Sequence, residues 1–204
     1  SMGEWQVASS TLKGTAVRKK NLSAGASHFF RVRPSGAGDG SAWSFSPPSQ
    51  AASLAVLSPF LSNLFGGPDA KLVNNQGREA TARSLAGQVV AIYCSASWCG
   101  PCRQFTPQLV QFYAQMKQAK TPFEVVLLSC DRDKKSFEGY LGHMPWWALD
   151  FEASAREEAL GKLSVQGIPH LAVCGRDGAL IDPKVNLGAL NGATMTRWLQ
   201  GLKG

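Results

Sequence analysis

The chain has 204 residues, 44% hydrophobic and 17% charged, which is enough apolar material for a folded core and too little charge for a disordered chain. The net charge of +7 is uneven: up to Gln50 six Lys or Arg stand against two acids, and beyond it fifteen against twelve. No apolar run approaches the roughly 18 residues of a membrane span, and the front run Arg18-Lys19-Lys20 with Arg31 and Arg33 reads as charge alternating on an exposed strand face rather than as a nucleic-acid patch.

Neither a membrane nor a nucleic acid is therefore expected as a partner. Ser1 ahead of Met2 has the look of a tag remnant, and Ser1-Met2-Gly3-Glu4 lacks the basic region and apolar stretch of a secretory signal. Targeting information upstream stays open.

Through residue 50 short runs alternate apolar and polar residues, at Trp5–Ala8, Thr15–Arg18 and His28–Arg33, with Gly, Ser and Asn between them. That pattern predicts a half-buried antiparallel sheet. Pro34–Gly40 is turn-rich, and the prolines of Ser46-Pro47-Pro48-Ser49 lack the N–H a central strand needs, which predicts a linker over Ser46–Gln50. From Ala51 onward strands and helices alternate. Helices are expected over Ser58–Phe65, Cys99–Met116, Lys134–Leu141, Ala153–Leu163 and Gly192–Leu202, and strands over Lys71–Val73, Val89–Cys94, Phe123–Ser129, His170–Cys174 and Ala179–Ile181. In the second helix Phe105, Leu109, Phe112, Tyr113 and Met116 keep the spacing of one buried face. The expected fold class is α/β, a mixed sheet with helices on both faces over 51–204, behind an N-terminal antiparallel β segment over 1–50.

Five cysteines, at 94, 99, 102, 130 and 174, do not make the even framework of a secreted miniprotein and suggest a reducing compartment. The close pair is Cys99-Gly100-Pro101-Cys102. A single CxxC is a poor zinc site, because structural zinc needs four ligands and His28, His143 and His170 are scattered; no metal is expected. A strand ending in CxxC at the mouth of a helix places Cys99 by unpaired amides and the positive end of the helix dipole, which favour a thiolate. Cys99 is thus the candidate nucleophile, and Cys102, one turn deeper on the same side, the candidate resolving thiol. Pro101 fits the first helical turn, where its missing N–H costs nothing. Cys94 and Cys174 lie in apolar strands and read as inert core residues. Cys130 ends a strand at the active-site edge, with an auxiliary thiol role left open, and His170 is expected to line the substrate groove.

Trp98-Cys99-Gly100-Pro101-Cys102-Arg103 resembles the thioredoxin active site, and Gly167-Ile168-Pro169 is similar to that family's cis-proline loop. Ser95-Ala96-Ser97-Trp98-Cys99, Phe105-Thr106-Pro107-Gln108-Leu109, Phe123-Glu124-Val125-Val126 and Met144-Pro145-Trp146 resemble the tryparedoxin and nucleoredoxin branch more closely, over about residues 55 to 204. The resemblance implies a thioredoxin fold and a thiol-disulfide oxidoreductase that reduces protein disulfides. It implies a cis bond before Pro169, with the Ile168 backbone beside the dithiol, and Trp98 shielding Cys99. No cofactor is implied beyond the redox-active disulfide Cys99–Cys102. Implied partners are protein disulfides and an upstream reductase or low-molecular-weight thiol, in the cytoplasm or nucleus. Two departures stand out. Tyr93 occupies the position of thioredoxin's buried aspartate, as in the tryparedoxin branch, so Asp131 becomes the candidate proton shuttle, with a solvated surface acid as the alternative. Gly100 stands where the branch usually carries proline.

A competing reading makes the domain a redox-gated or redox-inactive scaffold that binds partners in the Trp98 and Pro169 groove. The front fifty residues resemble the second half of a fibronectin type III module at Leu22, Gly25, Phe30-Arg31-Val32 and Trp43-Ser44. A half module exposes apolar faces, so it is expected to dock on the second domain or to exchange with another copy as a homodimer, the dimer being slightly favoured.

Overall fold

Two compact units divide the chain, Ser1–Ala55 and Val56–Gly204. The computed structural model describes residues 56–202 and, in the first unit, four two-residue strands: β1 (Ser27–His28), β2 (Arg31–Val32), β3 (Ser44–Phe45) and β4 (Ser49–Gln50). β1 pairs antiparallel with β4, and β2 with β3. The strand expected over His28–Arg33 is represented by parts of two separate pairings. The expected strands Trp5–Ala8 and Thr15–Arg18 and the turn Pro34–Gly40 lie outside the described residues. The expected linker needs correction, since Ser49 and Gln50 pair with His28 and Ser27. Pro47 and Pro48 cannot donate to a ladder, but the two residues that follow them can.

The second unit opens on α1 (Pro59–Phe65), capped by Ser58, whose hydroxyl accepts the Leu61 N–H at 3.2 Å. Gly66, at φ 84°, closes the helix in a left-handed conformation that glycine adopts without strain. There follow β5 (Lys71–Asn74), β6 (Glu79–Thr81), β7 (Val89–Ser95), α2 (Gly100–Gln118), β8 (Phe123–Ser129), α3 (Lys134–Leu141), β9 (Trp147–Leu149), α4 (Ala155–Lys162), β10 (His170–Cys174), β11 (Leu180–Asp182) and α5 (Gly192–Leu199). Seven strands make one sheet in the order β11-β10-β7-β8-β9-β5-β6. β7, β8 and β9 are parallel, and the outer pairings are antiparallel. β7 and β8 are buried along their whole length, which is why they read as unbroken apolar runs.

Alternation along β7 splits the core in two. Val89, Ala91 and Tyr93 face α2, α3 and α5, with Phe112, Phe123, Trp146 and Trp198 among their neighbours. Val90, Ile92 and Cys94 face α1 and α4 through Leu61, Leu64, Ala159 and Leu163. Burying a side chain of this kind contributes roughly 1.5–3 kcal/mol. The expected mixed sheet between two helical layers is therefore present. Within it, β6 and β9 were not expected from the sequence.

Candidate active site

Three segments meet at one edge of the sheet, where the parallel strands β7 and β8 end and the antiparallel β10 begins. His170 pairs with Cys94, and the Cys130 N–H donates to the Ser95 carbonyl at 2.8 Å, continuing the β7–β8 ladder by one residue. The carboxyl ends of parallel strands are where α/β sheets commonly hold their sites.

Cys99 is the N-cap of α2, in extended backbone (φ −85°, ψ 109°), and its sulfur accepts the Cys102 amide N–H at 3.2 Å. An unpaired first-turn donor is thus aimed at the sulfur that must carry negative charge. Cys99 and Cys102 are joined as a disulfide with their Cα atoms 5.2 Å apart, and Cys102 is fully buried while Cys99 keeps 5% of its surface. Gly100 opens the helix, and a Cβ there would meet nothing within 4 Å. Pro101 completes the first turn, and Pro107 sits inside the helix.

The Ile168–Pro169 bond is cis, and the Ile168 carbonyl oxygen lies 3.7 Å from Cys99 Sγ. Ala96, Cys99 and Cys102 form a small apolar cluster against which Ile168 and Cys130 pack. Trp98 is 56% exposed and is held by its Nε1–H, which donates to the Cys130 carbonyl at 3.2 Å. The Arg132 guanidinium lies over its ring at 5.8 Å from the centroid.

Beneath the dithiol lies a buried network of hydroxyls. Tyr93 and Thr106 both donate to the Cys102 carbonyl, at 3.3 and 2.9 Å, and are 3.0 Å from each other. Thr106 continues to Tyr140 at 2.8 Å and Tyr140 to Ser95 at 2.9 Å. Burial pushes the Tyr93 phenol well above its ordinary range, so it stays neutral. It holds the turn that carries Cys102 and takes the place of a charge there.

Asp131 is 3% exposed, which rules out the solvated surface acid among the sequence expectations. One carboxylate oxygen accepts the Ser97 N–H at 2.9 Å and the Ser97 hydroxyl at 2.7 Å, and the other accepts the Ser129 hydroxyl at 2.9 Å. The carboxylate ties the end of β8 to the residue that precedes Trp98. Among the described residues it has no hydrogen bond to either cysteine.

His170 lines a cleft of about 500 Å³ with Gln166, Gly167, Pro169 and Lys184, beside the cis-proline turn; by its register with Cys94 it belongs to the α1/α4 face, and it is 6% exposed. Burial lowers its basicity, and its Nε2 has no partner among the described residues. Cys94 and Cys174 are fully buried, as expected of core thiols. Burial pushes the Cys174 thiol up to about 12, raises Cys94 still further, and raises the partly buried Cys130 against a smaller opposing effect of Arg156. In the reduced protein iodoacetamide at mildly acidic pH is expected to label Cys99 first. Cys130 should follow only in alkali, and Cys94 and Cys174 only on unfolding, as mapped by peptide mass spectrometry. Faster labelling of Cys102 or Cys130 would contradict the assignment.

The structure thus gathers Cys99, Cys102, Trp98, Gly100, Pro101, Tyr93, Asp131, Ile168 and Pro169 around one disulfide. Sequence reasoning missed Ser97 and Ser129, which hold Asp131, and Thr106 and Tyr140, which complete the network. Only Ser97 and Thr106 lie close enough to the CxxC to have drawn attention. Among the described residues no cluster of His, Cys, Asp and Glu is fit to hold a metal ion, and no helix is long and apolar enough to cross a membrane.

The family described as Thioredoxin-like matches residues 87–180. Tryparedoxin of Trypanosoma brucei brucei is 44% identical over 116 residues, 56% of this chain and 80% of that protein. The chain belongs to the thioredoxin-like family. Within it, probable nucleoredoxin 1 of Arabidopsis thaliana is 42% identical over 112 residues, 54% of the chain, and mouse nucleoredoxin 39% identical over 121 residues, 59% of the chain. The chain spans 19% and 28% of the length of these two relatives. Native tryparedoxin I from Crithidia fasciculata superposes with a TM-score of 0.55 at 38% identity, covering 59% of this chain and 83% of that one. The family match does not reach the front unit, and the expected fibronectin type III half module finds no support in it. This thioredoxin-like chain therefore combines an oxidoreductase fold with a CxxC pair at disulfide distance.

Proposed function

We propose that the chain reduces protein disulfides, with Cys99 as nucleophile and Cys102 as resolving thiol. The observation that carries this reading is the Cys99 sulfur at the N-cap of α2, receiving the Cys102 N–H and facing the Ile168 carbonyl. The Cys99 thiolate attacks one sulfur of the substrate disulfide, forming a mixed disulfide and releasing the other sulfur as a thiolate that takes up a proton. Cys102 then loses its proton and attacks the Cys99 sulfur. The second substrate thiol departs and the Cys99–Cys102 disulfide closes, so the substrate has gained two electrons and two protons. An upstream reductase or a low-molecular-weight thiol returns the pair to the dithiol. An extended substrate strand would lie along the Ile168 backbone, with the exposed face of Trp98 covering the reacting sulfurs.

Five cysteines without an even framework support a reducing compartment, the cytoplasm or nucleus. Insulin reduction with dithiothreitol as electron source tests the reading. The chain should speed precipitation of the insulin B chain well above the dithiothreitol background. A protein that binds disulfide partners without such turnover would instead support the scaffold reading.

A further inference from the structure

A second cleft, of about 750 Å³, opens between α2 and α3 on the flank of the CxxC turn. Its walls carry Arg103, Pro107 and Val110 on α2, and Lys135, Gly139 and His143 on α3 and the turn after it. The spacing of three or four on each side means that one stripe of each helix faces the trough. Each stripe runs roughly 10–12 Å at 1.5 Å per residue, the length of three or four extended residues. The base is closed by Thr106 and Tyr140, whose hydroxyls are already bonded to each other at 2.8 Å. Recognition therefore falls to the apolar walls and a charged rim.

That rim is of one sign. Arg103 and Lys135 are exposed on the two walls of the trough, and a third cation, Arg132, lies over the ring of Trp98, which precedes Cys99. Among the described residues none of the three forms an ion pair. No carboxylate lines the cleft. The neighbouring Asp133 is occupied as the cap of α3, accepting the Ser136 amide and hydroxyl at 2.8 Å each. Gly139 leaves the α3 wall open, since a Cβ there would meet nothing within 4 Å.

We infer that this α2–α3 trough is a docking site for an acidic peptide segment of the protein substrate, lying beside the disulfide that the dithiol reduces. The inference rests on the proposed reductase reading but uses a surface that the sulfur chemistry does not need. Cation complementarity and the length of the trough favour a peptide over a compact thiol. The segment places its carboxylates against Arg103 and Lys135 and an apolar side chain over Pro107 and Val110.

The test is fluorescence anisotropy with the full chain and a labelled, cysteine-free octapeptide rich in Glu and Leu, beside its Glu→Gln counterpart. Without cysteine in the peptide, binding is read independently of redox turnover, which insulin reduction by the same preparation reports separately. The acidic peptide should bind about tenfold tighter than the Gln peptide, the size expected of one or two partly screened charge contacts. Added salt should reduce that preference. Lys135→Glu should abolish it, and Gly139→Leu should weaken both peptides by filling the trough from its α3 wall. Gly139→Leu replaces a helix glycine with a better helix former in open space, so its thermal denaturation should show a folded protein. Equal affinity for the two peptides, unchanged binding by Gly139→Leu, or displacement by glutathione at equal concentration would each overturn the inference.

Discussion

Cys102→Ser is expected to accumulate a mixed disulfide between Cys99 and substrate that non-reducing electrophoresis displays and dithiothreitol dissolves. The first attack needs only the Cys99 sulfur, which the Cys102 backbone N–H stabilises at 3.2 Å whatever side chain residue 102 carries. The second attack needs the Cys102 sulfur itself, and serine is too weak a nucleophile to expel a thiolate. Cys99→Ser should yield no adduct and should lower insulin reduction by roughly three orders of magnitude or more, because the nucleophile itself is gone. The asymmetry follows from burial, since Cys102 is closed off while Cys99 keeps a small exposed surface. Adducts that form through residue 102 in the Cys99→Ser protein would reverse the two roles.

The sequence made α2 legible because several signals coincide there. A strand of unbroken apolar residues, a capping cysteine, a proline in the first turn and a stripe from Phe105 to Met116 all specify one helix with its mouth at the CxxC. β8 was as clear, being buried on both faces. β6 and β9 were not, because three residues cannot display a period, and each exists through partners supplied elsewhere. Leu72 of β5 meets Ala80 of β6 on one side and Leu149 of β9 on the other. Ser49 and Gln50 were hidden by the two prolines before them. The site was legible in part for the same reason. Cysteines three residues apart announce themselves, whereas Tyr140 reaches Ser95 across 45 residues and Asp131 reaches Ser97 across 34. Pairings of that kind are products of the folded sheet edge and leave no local pattern. His170 shows how far a local signal carries: its place after Pro169 points to a groove, and it does line a cleft with Gly167 and Pro169, while strand alternation sets its side chain on the face of Cys94.

Asp131 provides the sharpest separation between holding a site in place and moving its protons. Asp131→Ala removes a buried carboxylate from the Ser97 N–H and from two hydroxyls. The hydroxyls can turn, but the amide is left without its acceptor, and a loss of about 3 kcal/mol is expected for hydrogen bonds to a charged group. In a chain of this size that lowers Tm by roughly 6–12 °C, and it frees the segment that carries Trp98. Asp131→Asn is the gentler variant. Its amide oxygen can keep Ser97, while its NH2 faces the Ser129 hydroxyl, which has lone pairs for both that group and the residue 131 N–H it already accepts at 3.0 Å. The asparagine protein should therefore stay folded and keep the anchor, yet it can neither gain nor lose a proton near neutral pH. If Asp131 acts by position, insulin reduction by Asp131→Asn will follow the wild-type pH profile with a modest drop in rate, and Asp131→Ala will lose both stability and rate. Loss of one limb of the pH profile in Asp131→Asn, with Tm unchanged, would instead assign the carboxylate to proton transfer at Cys102. The geometry favours the first result, because all the hydrogen bonds that the carboxylate accepts among the described residues come from Ser97 and Ser129 and none comes from a sulfur.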